Sequence, residues 1–189
     1  MGWRELAIAG HSGDESLARA ALTDPDAQAR ELAVGALDRM GRLTEHDLGL
    51  MAADPAPSVR RRVAMIAARY PGLDLLALLD DGDPVVVEAA AWAAGERGAT
   101  PDGVLARLIA LATLASDALV REAAVASLGA IGDDLGLPAI LAACADKPTV
   151  RRRAVLALAP FDGPEVEAAL DAARKDRDWQ VRQAAEDVS

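Results

Sequence analysis

The sequence predicts an all-α protein, folded as an α–α superhelix of about six helical hairpins preceded by half a hairpin. Alanine, the best helix former, fills 44 of the 189 positions, whereas aromatic residues make up 3%. One segment also recurs at intervals of 26 to 34 residues, and residues that start or stop helices flank most of its copies. We therefore expect about 13 helices and no sheet, in one domain over residues 1–189.

The recurring segment begins with an apolar residue that is usually followed by arginine, as in Val120-Arg121-Glu122-Ala123-Ala124 and Val150-Arg151-Arg152-Arg153-Ala154. The arginine position, called offset 0 below, falls at Arg4, Arg30, Arg60, Val87, Arg121, Arg151 and Arg182. Offsets −1, +3, +4, +6 and +7 carry mostly small or apolar residues, which predicts one buried stripe per helix. Trp3 stands at offset −1 of the first copy, so we expect it to pack inward.

Residues that end and begin helices mark the boundaries of each copy. Glycines suited to the left-handed position after a helix follow five copies, at Gly41, Gly72, Gly98, Gly132 and Gly163. Candidate N-caps stand four residues before offset 0, at Asp26, Asp83, Asp117 and Asp178. Each copy is therefore predicted to be one helix, which we call a B helix.

A second helix, the A helix, fits between successive copies. Leu137, Ile140, Leu141 and Cys144 have the i, i+3, i+4, i+7 spacing of one buried face, and similar stripes occur in the other intervals. Thr44 and Thr100 are candidate caps for such helices, with Pro101 suited to a first turn. The predicted units are residues 1–12 (the half hairpin), 13–41, 42–72, 73–98, 99–132, 133–163 and 164–189.

This pattern resembles the HEAT-repeat family, specifically the short repeats found in phycobilin lyases. Asp83-Pro84-Val85-Val86 and Lys147-Pro148-Thr149-Val150-Arg151 carry parts of that family's recurring segment. The resemblance implies an Asp–Arg ladder between repeats and B helices along the concave face. We expect the ladder to be interrupted where the repeat departs from the family pattern, at Ala56, Val87 and Lys147.

The outward-facing offsets +1, +2 and +5 of the B helices form the predicted binding surface. They bring together apolar centres and charges of both signs, with candidate partner-binding residues Arg61, Arg62, Met65, Glu88, Trp92, Glu122, Arg152, Arg153 and Leu156. An exposed Trp92 beside Arg and Met has the composition of a protein-interface hot spot. The alternative interpretation is that Trp92 folds down and covers the alanine-rich helices.

Two arginine triplets are the basic features of a chain with net charge −10 and pI about 4.6. We expect Arg60 and Arg151 to be ladder residues, and the other arginines of the triplets to capture an acidic or phosphorylated partner. Solvated surface arginine is the alternative. The acidic total opposes nucleic-acid binding, which needs excess cationic surface.

No catalytic residue, metal site or cofactor is predicted. The two histidines, His11 and His46, and the one cysteine, Cys144, are scattered, so a zinc site is unsupported. Cys144 closes the apolar stripe of an A helix, which favours a buried thiol over a nucleophile. One HEAT-built hydroxylase family holds two irons with His-Glu pairs. This chain has no such pair, only Glu45-His46 in reverse order, so that chemistry is not expected.

We therefore expect a non-catalytic scaffold that binds a protein or peptide partner, possibly one with acidic segments, on its concave B-helix face. A lyase-like or chaperone-like subunit acting on a modified protein is the alternative, and a HEAT-like DNA glycosylase a weaker one. The sequence holds no uncharged apolar run of about 18 residues, so no membrane span is expected. The charged N-terminus, including Arg4 and Glu5, favours a cytoplasmic protein, and we expect a monomer.

Overall fold

The computed structural model describes residues 2–98 and 103–188. This part of the chain is all-helical, as expected, with thirteen α-helices and two short 3₁₀ turns. The helices are α1 Trp3–Ser12, α2 Glu15–Ala21, α3 Ala27–Arg39, α4 Glu45–Ala52, α5 Pro57–Ile66, α6 Leu76–Leu79, α7 Pro84–Arg97, α8 Val104–Leu114, α9 Ala118–Ile131, α10 Leu137–Ala143, α11 Pro148–Ala157, α12 Pro164–Ala173 and α13 Trp179–Asp187. The 3₁₀ turns are Ala67–Arg69 and Asp134–Gly136.

The helices stack in two layers. The odd-numbered helices α1 to α13 are the B helices, and each contacts the next one along the stack. The even-numbered helices are the A helices, and each packs against the B helix that follows it. Since each hairpin contacts its sequence neighbours, the core is continuous along the stack, as in a repeat solenoid.

The buried stripe of the B helices lies where the periodicity placed it. From the second copy onward, every offset −1 residue is at most 4% exposed: Ala29, Val59, Val86, Val120, Val150 and Val181. Offset +3 is fully buried in all six of these copies: Ala33, Val63, Ala90, Ala124, Ala154 and Ala185. The small residues allow close packing, because a Cβ added to Gly129 would lie 2.6 Å from the Cβ of Ala157 on the next B helix.

Predicted orientations are wrong at both ends of the stack. In α1, Ile8 at the inward offset +4 is 50% exposed, whereas Leu6 at the outward offset +2 is buried. Trp3 is 58% exposed instead of buried, and its indole N–H donates to Asp26 at 2.6 Å. Helix α1 has no preceding A helix in the described chain, so nothing covers its offset −1 position. Ala184 of α13, assigned to the outward offset +2, is buried.

The predicted N-caps are confirmed. Asp26, Asp83, Asp117 and Asp178 each accept a hydrogen bond from the amide two residues later. Thr44 caps α4 in a capping box with Asp47, whereas Thr100 and Pro101 lie outside the described residues.

The predicted C-terminal glycines are confirmed in part. Gly41, Gly98 and Gly132 have positive φ directly after helices, as expected. Gly72 is not among the positive-φ glycines, since it follows the 3₁₀ turn and Pro71 instead of a helix end. Gly163 has φ +124° but precedes α12 instead of ending α11.

Bidentate Arg–Asp pairs join successive hairpins, with N–O distances between 2.6 and 2.9 Å. We call them the Arg–Asp ladder: Arg30–Asp54, Arg60–Asp81, Arg121–Asp146 and Arg151–Asp176. Each arginine also donates to backbone carbonyls of the loop before its own helix. The arginines therefore tie two neighbouring loops together.

Two of the three expected ladder interruptions are wrong. The ladder carboxylate is not the N-cap residue but lies one or two positions before it, so Ala56 and Lys147 stand beside intact pairs made by Asp54 and Asp146. The interruption at Val87 is confirmed. Ala115 occupies the position that carries aspartate in most other loops, so both members of this pair are replaced.

Candidate functional site

Four consecutive B helices, α5, α7, α9 and α11, line a concavity of about 490 Å³ on the outward face of the B layer. We call it the B-helix groove, and its lining residues are Arg61, Met65, Glu88, Ala89, Trp92, Leu119, Glu122, Ala123, Ala126 and Arg153. Six of the nine predicted site residues lie here. The groove exists because alanines form its floor while longer side chains stand along its sides.

Trp92 is half exposed, at 50%, and lines the groove. Trp92 is therefore not a core residue, and half of its surface is open to a ligand. Met65 is 39% exposed on the neighbouring helix, so the two side chains present apolar surface on one face. Exposed aromatic and methionine side chains around a concavity are typical of surfaces that bind other proteins.

Leu119 is a groove residue that the sequence reasoning missed. It is 59% exposed and stands in the first turn of α9, at offset −2. The sequence alone could have indicated that Leu119 is special. Offset −2 is apolar only at Val85 and Leu119 among the later copies, and it is polar in the others: Gln28, Ser58, Thr149 and Gln180. The apolar residues fall on α7 and α9, the two helices at the centre of the groove.

The other three predicted site residues lie outside this groove. Leu156 lines an adjacent concavity of about 470 Å³, which shares Ala126 and Arg153 with the first. Arg62 lines a smaller concavity of about 120 Å³ near α1 and α3. Arg152 is exposed on α11 and lines neither of the two larger concavities.

The triplet arginines divide into paired and unpaired groups. Arg62 pairs with Glu31 at 3.1 Å, and Arg153 lies 3.7 Å from Glu122, in each case on the preceding B helix. The side chains of Arg61 and Arg152 have no ion-pair or hydrogen-bond partner among residues 2–98 and 103–188. Because only unpaired guanidinium groups are fully available to a ligand, Arg61 and Arg152 are the stronger candidates for binding an acidic partner.

The carboxylates of the groove limit which ligands it accepts. Glu122 is engaged by Arg153, whereas Glu88 has no partner within the described chain and stands one helical turn before Trp92. The centre of the groove is therefore acidic and aromatic, and an unpaired arginine lies at one side.

Potential reactive groups lie away from the groove. Burial raises the pKa of the Cys144 thiol to about 11, and the thiol donates to the Ile140 carbonyl at 3.6 Å. Cys144 is therefore a protonated thiol at neutral pH. His11 and His46 lie on α1 and α4, and no cluster of His, Cys, Asp and Glu suited to a metal ion occurs in the described residues.

None of the helices in the described residues has the length and apolar content to cross a bilayer.

Comparisons with known proteins agree on the architecture. The family model for HEAT repeats matches three overlapping stretches, residues 47–129, 72–159 and 105–188. A designed armadillo repeat protein in complex with the peptide (KR)4 is similar in structure, with a TM-score of 0.66 and 17% identity over 92% of this chain and 97% of that one. A second designed armadillo repeat protein has a TM-score of 0.63 and 19% identity, with the same coverage of both chains.

An enzyme is also among the similar structures. Human deoxyhypusine hydroxylase in complex with glycerol has a TM-score of 0.50 and 21% identity over 97% of this chain and 75% of the enzyme. At such identities the likeness concerns the fold alone. No curated protein sequence matches the chain.

Proposed function

Since the chain belongs to the HEAT-repeat family, whose scaffolds typically bind other proteins without catalysis, we propose that it binds a protein or peptide segment in the B-helix groove. The observation that carries this proposal is the exposed Trp92, which stands with Met65 and Leu119 around a floor of alanines. An apolar side chain of the partner can fill such a concavity and bury its surface there. Aromatic residues at such positions commonly contribute most of the binding energy.

The charges around the groove suggest the composition of the segment. We propose that a bulky apolar residue of the partner packs on Trp92 and that acidic residues on either side reach Arg61 and Arg152. Glu88 disfavours an acidic residue at the centre, because like charges at close range cost binding energy. The segment is therefore apolar in the middle and acidic toward its ends.

The structural likeness gives general support. One similar designed protein is in complex with a peptide, so a protein of this fold can bind a peptide. That peptide is basic, whereas the unpaired groups here include two arginines. We therefore derive the charge of the partner from this chain's own residues.

The test is peptide selection followed by affinity measurement. A random peptide library is selected on the purified protein, and the best sequences are measured by fluorescence anisotropy against wild type, Trp92→Ala and Leu114→Ala. Leu114 is the matched control, an exposed apolar residue on the A helix α8. We expect Trp92→Ala to weaken binding at least tenfold, the loss typical of a hot-spot residue, and Leu114→Ala to have no effect. Equal losses in both variants, or in neither, contradict the proposal.

Ionic strength separates this function from nucleic-acid binding. A contact anchored on Trp92 should weaken only modestly between 50 and 200 mM salt, whereas a protein making several phosphate contacts loses about a thousandfold or more. A steep salt dependence for a nucleic-acid ligand would support the glycosylase-like alternative instead.

A further inference from the structure

The missing ladder pair leaves a concavity of about 450 Å³ between the hairpins of α7 and α9. It is lined by Pro84 and Val87 of α7, with α8 residues in its wall, and it shares no lining residue with the B-helix groove. Val87 and Ala115, which replace the arginine and the aspartate, both line it. This site is therefore physically distinct from the proposed peptide groove.

The intact pairs show what an arginine binds at this position of the repeat. Arg60 Nη1 donates to the carbonyls of Asp54 and Pro55 at 2.7 and 3.2 Å. Arg121 Nη1 donates in the same way to Ala115 and Ser116, at 2.7 and 3.1 Å. A ladder arginine thus donates to the carbonyls five and six residues before it, except that Arg151 donates only to the nearer of the two.

At Val87 these acceptors remain while the donor is gone. The equivalent carbonyls belong to Asp81 and Gly82, which line the concavity and receive no hydrogen bond from any described residue. The backbone acceptors that hold a guanidinium elsewhere in the chain are therefore open here.

A negative charge also remains beside the vacant position. In the intact repeats the N-cap aspartate of the next B helix, Asp83 or Asp178, stabilises the charge of Arg60 or Arg151. The equivalent residue here is Asp117, which lines the concavity and whose Oδ1 accepts the Leu119 N–H at 2.7 Å. Arg107 also lines the concavity, but its charge is engaged by Asp80 at 2.7 Å.

We propose that this concavity binds an arginine side chain of a partner protein, which takes the place of the missing ladder arginine. Its guanidinium donates to the carbonyls of Asp81 and Gly82 and faces the carboxylate of Asp117, while its methylene groups pack on Val87. Lysine fits less well, because its ammonium cannot present donors in a planar fork to several acceptors at once. The inference does not depend on the proposed function of the B-helix groove.

The test is an NMR titration of the intact protein with N-acetyl-arginine amide, and with N-acetyl-lysine amide as the matched probe. We expect saturable shifts of amides in residues 81–87 and 115–120 with the arginine probe, and a dissociation constant on the order of 1 mM for so small a ligand. The lysine probe should bind several-fold more weakly. Equal binding of the two probes, or shifts that do not saturate, overturns the proposal.

Two variants locate the binding. Val87→Arg combined with Ala115→Asp rebuilds the ladder pair, fills the concavity and should abolish the saturable shifts. Asp117→Asn keeps an N-cap residue but removes the charge, and should weaken arginine binding several-fold even if the double variant fails to fold. Unchanged binding in the Asn variant contradicts the assignment, as does unchanged binding in a folded double variant.

Discussion

Removing one ladder aspartate should destabilise the protein more than removing the whole pair. The reason lies in the pair Arg121–Asp146, where the N–O distances are 2.6 and 2.9 Å and the two side chains are 13% and 21% exposed. Asp146→Ala leaves the Arg121 guanidinium largely buried without its counter-charge. The double variant Arg121→Val with Asp146→Ala instead recreates the arrangement that the chain already has at Val87 and Ala115.

The expected magnitudes follow from the burial of the pair. Breaking a fully buried ion pair by removing one partner costs about 3–5 kcal/mol, whereas an exposed pair contributes about 0–1 kcal/mol. Since this pair is mostly but not fully buried, we expect each single variant to lose about 2 kcal/mol of unfolding free energy. The double variant should lose only about 1 kcal/mol, which gives a coupling of about 3 kcal/mol.

The assay is urea unfolding followed by circular dichroism at pH 7 for the wild type, both single variants and the double variant. Helical stacks can unfold in parts, so the free energies are compared only if the slopes with urea agree. If the two single losses simply add in the double variant, the ladder pair is not a coupled unit and the reasoning is refuted.

Three further predictions concern packing, pH and charge. Gly129→Ala should destabilise the protein by about 1–3 kcal/mol, because the added Cβ would lie 2.6 Å from Ala157. The control Gly49→Ala, whose Cβ would have no neighbour within 4 Å, should stabilise the protein by about 1 kcal/mol. Equal changes in the thermal unfolding of the two variants would count against the close helix contact. Hydrogen bonds from arginine lower the pKa values of the ladder aspartates Asp81, Asp146 and Asp176. The stability that these aspartates contribute is therefore present above pH about 4 and lost as the pH falls through their pKa values in the folded protein. A free energy of unfolding in urea that stays constant below pH about 4 contradicts this. Arg61→Glu with Arg152→Glu should weaken an acidic peptide at least tenfold in anisotropy measurements without changing the melting temperature, and unchanged affinity would exclude both arginines from the site.

The B-helix core was readable from the sequence because it depends on local periodicity. Each offset that the repeat predicts to be buried repeats the same small or apolar residue type, and a helix converts that spacing into a face. The N-caps at Asp83 and Asp117 were equally local, since the cap bond spans only two residues. Trp3 was misplaced because its burial would need a preceding helix, and the described residues hold none before α1.

The ladder and the charges of the groove depend on distances between hairpins. Asp54 lies two residues before its N-cap and Asp146 only one, so the pairing aspartate could not be fixed by counting along the repeat. The partners of Arg62 and Arg153 lie on the previous B helix, 31 residues away in each case, and only the stacking brings them within reach. The sequence therefore predicted the outward faces of α3 to α11, but not which arginines stay unpaired.

The central claim, that a partner binds across the B layer, is tested most directly by site-specific photo-crosslinking. A photoreactive phenylalanine is placed at position 65 in the groove or, as control, at position 114 on α8, and a selected peptide is added at a concentration near its dissociation constant. We predict crosslinks from position 65, lost on competition with unlabelled peptide, and none from position 114. Crosslinks from position 114 with none from position 65 would place the partner on the A-helix face and contradict the account.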